Sequence, residues 1–96
     1  MGFFGDMRSI KKIYGRLNTI EPLYTALEQN LSMGNIVEIK KLAILIDSEL
    51  KKLTTEIANA PNSVKCANFQ FLGRNTSLYI IVKGIYETVQ PCLMML

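Results

Sequence analysis

Residues 36–57 read IVEIKKLAILIDSELKKLTTEI, and their apolar side chains recur at alternating steps of three and four residues. This spacing keeps those side chains along one side of an α-helix, so it predicts a helix that is packed along its whole length. Charged pairs four residues apart, such as Asp47 with Lys51, fall outside the stripe and are typical of a solvated helix surface. The stripe consists of Ile36, Ile39, Ala43, Ile46, Leu50, Leu53 and Ile57.

An equivalent stripe runs through residues 10–31 and predicts a first helix of the same kind. Pro22 lies outside this stripe, which keeps its phase across the proline, so we expect the helix to bend there rather than to end. Gly34 and Asn35 separate the two helices, because glycine readily takes the left-handed backbone that ends a helix. The stripe consists of Ile10, Ile13, Leu17, Ile20, Tyr24, Leu27 and Leu31.

The C-terminal third is compatible with helix or strand. Residues 60–63 read APNS and end the second helix, after which Ser63 can cap a segment in which Val64, Ala67 and Phe71 have helical spacing. Residues 73–77 read GRNTS and indicate a break. Residues 78–89, LYIIVKGIYETV, favour a further helix. Their β-branched and aromatic residues also allow two short strands around residues 83–84, or a hairpin with residues 69–72 across a loop at 73–76.

These patterns predict a single domain, residues 1–96, of the all-α class. The expected architecture is an antiparallel bundle of three or four helices, in which the C-terminal third is either helix or β-hairpin. The chain has 96 residues, of which 49% are hydrophobic, and a mean hydropathy of +0.19. A chain of this size has one small core, so its high apolar content favours self-association or a permanent partner.

The second helix also carries apolar residues outside its stripe, at Val37, Ile44 and Leu45. A helix that is apolar on two sides is normally covered on both, either by the C-terminal segment of the same chain or by another chain. A second apolar stripe in the C-terminal segment raises the same question, and its tyrosines combine a large apolar ring with a hydroxyl that tolerates water. We therefore expect a protein–protein interaction module that forms a homodimer or binds a protein partner. The candidate interface consists of Val37, Ile44, Leu45, Tyr79, Val82, Tyr86, Val89 and Leu93.

A basic face on the first helix gives an alternative function. Arg8, Lys12 and Arg16 are four residues apart, with Lys11 beside them, and the chain has a formal net charge of +3. Such a stripe can contact phosphates and predicts a nucleic-acid-associated regulator. A solvated helix face explains the same pattern, and the aromatic residues that would stack on bases are absent from it.

A second alternative is a peripheral membrane protein. Phe3, Phe4 and Met7 lie beside the basic stripe, as in helices that bind a membrane surface. The competing interpretation is that Phe3, one heptad before Ile10, continues the apolar stripe of a packed helix.

Catalysis has little support in the sequence. There is no histidine, the commonest general base and metal ligand, and no metal-binding, phosphate-binding or nucleophile motif. Cys66 and Cys92 lack the spacing of a metal site and are typical of reduced thiols. The longest apolar runs, residues 42–46 and 78–82, are far shorter than the ~20 residues of a spanning helix. We therefore expect a cytoplasmic protein without enzymatic activity, cofactor or transmembrane segment.

Overall fold

The structure, a computed structural model, describes residues 3–95 and, from Asp6 onward, their side chains. Its elements, in chain order, are α1 (Phe3–Met33), α2 (Ile36–Ala58), α3 (Asn62–Lys65), β1 (Asn68–Phe71), β2 (Arg74–Ser77) and α4 (Leu78–Met94). The chain is mostly helical, which confirms the predicted fold class. The two strands form a small antiparallel hairpin between α3 and α4.

Helices α1 and α2 form the main helical hairpin, and their apolar stripes face each other. The middle of both stripes is buried, as predicted from the spacing. The buried stripe residues are Ile13, Leu17, Ile20 and Leu27 of α1 and Ile39, Ala43, Ile46, Leu50 and Leu53 of α2. Helix α1 is continuous through Pro22, which is exposed.

The turn between α1 and α2 depends on Gly34, whose φ of 71° lies in the left-handed region. The next residue, Asn35, donates its backbone N–H to the carbonyl of Asn30 at 3.1 Å, the hydrogen bond that closes a Schellman-type helix end. Leu31 and Ile36 lie beside this turn and remain exposed, although both belong to the predicted stripes. The stripes therefore extend beyond the region in which the two helices cover each other.

The C-terminal third contains both a hairpin and a helix. The predicted helical spacing of Val64, Ala67 and Phe71 is wrong, because α3 ends at Lys65 and residues 68–71 form a strand. In β1 the buried Phe69 and Phe71 alternate with exposed polar residues, which is the two-residue period of a strand packed on one face. Phe71 pairs with Arg74, so the turn has two residues, 72 and 73, rather than the predicted loop at 73–76.

Two tyrosines of α1 hold the hairpin. The ring of Tyr14 lies 5.0 Å from that of Phe69, and the ring of Tyr24 lies 6.2 Å from that of Phe71 in an edge-on arrangement. The Tyr14 hydroxyl also accepts a hydrogen bond from the backbone N–H of Gln70 at 3.2 Å. This hydrogen bond gives the Gln70 N–H of β1 a partner from α1, and the ring contacts cover the apolar face of the strand.

Helix α4 completes the core. Ser77 caps it by accepting a hydrogen bond from the backbone N–H of Ile80 at 3.3 Å. Tyr24 of α1 and Thr88 of α4 share a hydrogen bond of 2.8 Å between their hydroxyls. Another side of α4 packs against α2. All side chains classed as buried in the described part of the chain are apolar or cysteine.

The tip of the hairpin gives a stability prediction. Leu72 has a φ of 53°, a left-handed backbone that is unfavourable for a bulky residue, whereas asparagine tolerates it well. Leu72→Asn should therefore raise the free energy of unfolding by about 1 kcal/mol, measured by urea denaturation. Leu72→Ala is the control because alanine keeps a Cβ but lacks the local hydrogen bonding of asparagine. Equal stabilities of the two variants would contradict this account of the turn.

Candidate protein–protein interface

Helix α2 presents two apolar side chains that the rest of the chain leaves uncovered. Val37 is 74% exposed and Ile44 is 53% exposed, although α4 packs against α2. They are seven residues apart, so they lie on the same side of the helix, two turns from each other. Ile44 precedes Glu49 by five residues, which is about 140° around the helix. Since Glu49 contacts Arg16 of α1, Ile44 points away from α1.

Helix α4 carries a second exposed row. Tyr79, Tyr86 and Leu93 are spaced by seven residues, and the two tyrosines are 71% and 53% exposed. Thr88, two residues after Tyr86, faces α1 through its hydrogen bond. Tyr86 is about 200° around the helix from Thr88, so it also points away from α1.

Both rows point away from α1. Tyr79 and Val82 line a groove of about 270 Å³ together with Thr54 and Ile57 of α2, which places the α4 row beside α2. Lys83 lies with its ammonium 5.9 Å from the centre of the Tyr79 ring, a cation–π contact at the edge of this surface. We call the α2 row and the α4 row together the outer face. It consists of Val37, Ile44, Tyr79, Val82, Tyr86 and Leu93.

Two of the predicted interface residues lie elsewhere. Val89 is fully buried in the core, so it has no surface to offer a partner. Leu45 is 47% exposed but precedes Glu49 by four residues, which places it on the side of α2 that faces α1. Val82 and Leu93 are half-buried, since they pack partly against the core. These two therefore contribute edges to the outer face.

Other exposed apolar side chains were missed by the sequence reasoning. Ile36 is 54% exposed, Met33 is 70% exposed and Met94 is 82% exposed. Ile36 was assigned to the buried stripe because periodicity does not reveal where the partner helix ends. One available signal was the absence of charged residues from 29–37 and from 88–95. Such stretches are unusual on a solvated surface and indicate contact with something other than water.

The predicted basic face is partly neutralised. Arg8, Lys11 and Lys12 are exposed, whereas the guanidinium of Arg16 lies 3.6 Å from the carboxylate of Glu49. A small pocket of about 100 Å³ is lined by Arg8, Ser9, Lys12, Glu56 and Asn59. Glu49 and Glu56 of α2 lie beside the basic stripe and reduce its attraction for phosphates. Of the residues considered for membrane binding, Met7 is exposed, and the side chains of Phe3 and Phe4 lie outside the described part of the chain.

The described residues carry few groups suited to chemistry. From residue 3 to residue 95, no cluster of three or more histidine, cysteine or acidic side chains could hold a metal ion. Cys66 is a free thiol at the surface, and Cys92 is a free thiol in the core. Burial raises the pKa of the Cys92 thiol, which donates to the carbonyl of Thr88 at 3.3 Å, so this thiol stays protonated.

The chain has no recognised relatives in the three comparisons made. No protein-family model, curated protein or solved structure matches it. Within residues 3–95, none of the helices combines the length and the apolar character needed to cross a bilayer. The function is therefore inferred from the residues of this chain.

The ion pair between α1 and α2 gives a prediction. One carboxylate oxygen of Glu49, Oε1, is buried and has no hydrogen-bond partner among the described residues, and Arg16 places its cation 3.6 Å away. Arg16→Ala should lower the free energy of unfolding by about 1 kcal/mol, because the buried Oε1 loses its nearby cation while Lys52, at 3.4 Å, pairs only with the other carboxylate oxygen. Lys12→Ala is the control, since this exposed lysine should change stability by less than about 0.5 kcal/mol. Chemical denaturation measures both, and a larger effect at Lys12 would contradict the pairing.

Proposed function

We propose that this protein is a non-enzymatic protein–protein interaction module and that it forms a homodimer through the outer face. One observation carries the proposal: Val37 and Ile44 stay exposed after α4 has packed against α2. The C-terminal segment was the simplest cover for this side of α2, and it does not reach these two side chains. A second chain is the remaining source of cover.

The free energy available from covering the outer face is large for so small a protein. Full burial of one large aliphatic or aromatic side chain contributes about 1.5–3 kcal/mol, and a domain of this size has about 5–15 kcal/mol of net stability. Tyr79 and Tyr86 are well suited to the centre of an interface, because tyrosine buries a rigid ring at low entropic cost while its hydroxyl can keep a hydrogen bond. Ile44 and Val37 supply the aliphatic surface against which such rings pack.

A second copy of the chain is the partner that this surface favours. In a two-fold dimer each copy presents the same patch, so one self-complementary surface covers the exposed residues of both molecules. Helix α2 has 23 residues and is about 35 Å long, and α4 packs against it, so the two helices offer a second copy an extended surface. The charged pair of Asp47 and Lys51, 3.2 Å apart, is internally neutralised and adds little repulsion between copies.

Nucleic-acid or membrane binding has weaker support. The Arg16–Glu49 pair and the neighbouring Glu56 reduce the charge of the basic face, and its aromatic neighbours are too few for base stacking. We propose a cytoplasmic location, which the reduced thiols of Cys66 and Cys92 would suit.

Two adjacent residues of α2 provide a matched test of the dimer. Ile44→Asp should convert the dimer to a monomer, because a carboxylate in the interface loses its hydration. Leu45→Asp is the control, since Leu45 is 47% exposed, close to the 53% of Ile44, but lies on the side of α2 that faces α1. Light scattering coupled to size-exclusion chromatography measures the mass of each variant.

Circular dichroism must accompany this measurement, so that loss of dimer is distinguished from loss of fold. A parent protein that is already monomeric at tens of micromolar and well folded would refute the homodimer. Equal loss of dimer in both variants would also contradict the assignment of the interface to the outer face. Tyr86→Asp tests the α4 row in the same way and should match Ile44→Asp.

A further inference from the structure

A second surface, distinct from the outer face, forms a pocket of about 390 Å³ between α1, the hairpin and α4. This volume lies in the range of small-molecule sites. Its apolar wall includes Phe71, Ile81 and Ile85, which are buried, together with Ile80, which is 57% exposed. The accessible apolar surface of the pocket therefore comes from Ile80 and from Leu72, which is 40% exposed, over a floor of buried side chains.

Gly84 keeps one wall of this pocket open. It lies in the interior of α4, where glycine lowers helix stability by about 1 kcal/mol relative to alanine. A Cβ at this position would meet no atom within 4 Å, so close packing does not require glycine here. The unfavourable residue therefore has its only evident structural consequence in the space that it leaves in the pocket.

Leu72 also lines this pocket, and like Gly84 it is a residue type that is unfavourable for its backbone conformation. Its left-handed backbone would suit asparagine or glycine, yet the position holds a large apolar side chain, 40% exposed. The carboxylate of Glu21 accepts a hydrogen bond from its backbone N–H and fixes the tip of the hairpin. Residues that are unfavourable for the local backbone are expected at functional sites, and two such residues, Gly84 and Leu72, line this pocket.

The charges of the pocket indicate the chemistry of a ligand. Arg74 and Thr76 alternate along β2, so they lie on the same face of the strand, and both line the pocket. Among the described residues, no carboxylate lies within ion-pair distance of the Arg74 guanidinium. A guanidinium beside a hydroxyl is a suitable donor set for a carboxylate. Glu28 lies at the α1 side of the opening, so an anionic group is favoured at the hairpin side only.

We propose that this pocket binds a small amphipathic carboxylate, with its acid group at Arg74 and Thr76 and its aliphatic part along the exposed side chains of Ile80 and Leu72. Gly84 makes room for the aliphatic part, and Leu72 covers it from the hairpin tip. This site does not depend on the homodimer, because Tyr79 and Tyr86 of the outer face do not line it.

Decanoate is the probe, and isothermal titration calorimetry on the full chain is the measurement. We expect one decanoate per chain, and we expect decanol, which lacks the charge, to bind about tenfold more weakly. Arg74→Gln should weaken decanoate binding by about tenfold for the same reason, and Glu28→Gln should leave it equal or tighter. Loss of binding in Glu28→Gln with none in Arg74→Gln would overturn the proposal.

Gly84→Leu tests the location of the site. Leucine favours the helix and fills the pocket, so decanoate binding should be lost while thermal stability is kept or raised. Gly15→Leu is the matched control, because Gly15 is also inside a helix, also has open space at its Cβ and does not line the pocket. Unchanged binding in Gly84→Leu, or equal loss in both variants, would place decanoate elsewhere and refute the site. If Gly84→Leu does not fold, Arg74→Gln decides the question alone.

Discussion

Helix α2 carries apolar side chains on more sides than the rest of the chain covers, and the other features of the molecule follow from this constraint. The side that contains Ile46 and Leu53 is fully buried in the core formed with α1 and α4. The side that contains Val37 and Ile44 is left over. Within residues 3–95, none of the other helices covers it. The core is therefore well buried, but apolar side chains of α2 remain exposed to solvent. This exposure is the reason for proposing a second copy.

The hairpin explains why α4 lies where it does. Phe69 and Phe71 pack against Tyr14 and Tyr24 of α1 and hold the strands there. Strand β2 pairs with β1 and leads directly into α4. A direct helix-to-helix turn after α2 would give α4 more freedom in its position along α1. The hairpin fixes that position through aromatic contacts, and it also creates the pocket between α1 and α4. One short element thus sets both the packing of the last helix and the shape of the proposed ligand site.

Much of this fold can be predicted from the sequence, because α1 and α2 have long, uninterrupted periodic stripes and the glycine at 34 marks the turn between them. The hairpin could not be predicted with certainty, because Phe71 fits both the helical spacing from Val64 and the strand spacing from Phe69. The choice depends on Tyr14 and Tyr24, which are more than forty residues away in the chain. Similarly, the pattern of α4 shows two adjacent apolar rows but not which one faces the core, so Val89 was assigned to the wrong row. Leu45 is exposed, as its position outside the stripe predicts, but which neighbour lies beside it depends on the position of α1.

An isotope-filtered nuclear Overhauser experiment can detect whether a second copy covers the outer face, as we propose. An equimolar mixture of labelled and unlabelled chain reports only the contacts between copies. If the homodimer forms through the outer face, we expect contacts between the methyl groups of Ile44 or Val37 in one copy and outer-face side chains, above all the Tyr86 ring, in the other. A well-folded sample without contacts between copies, or with contacts confined to Leu45 and the basic face of α1, would contradict it.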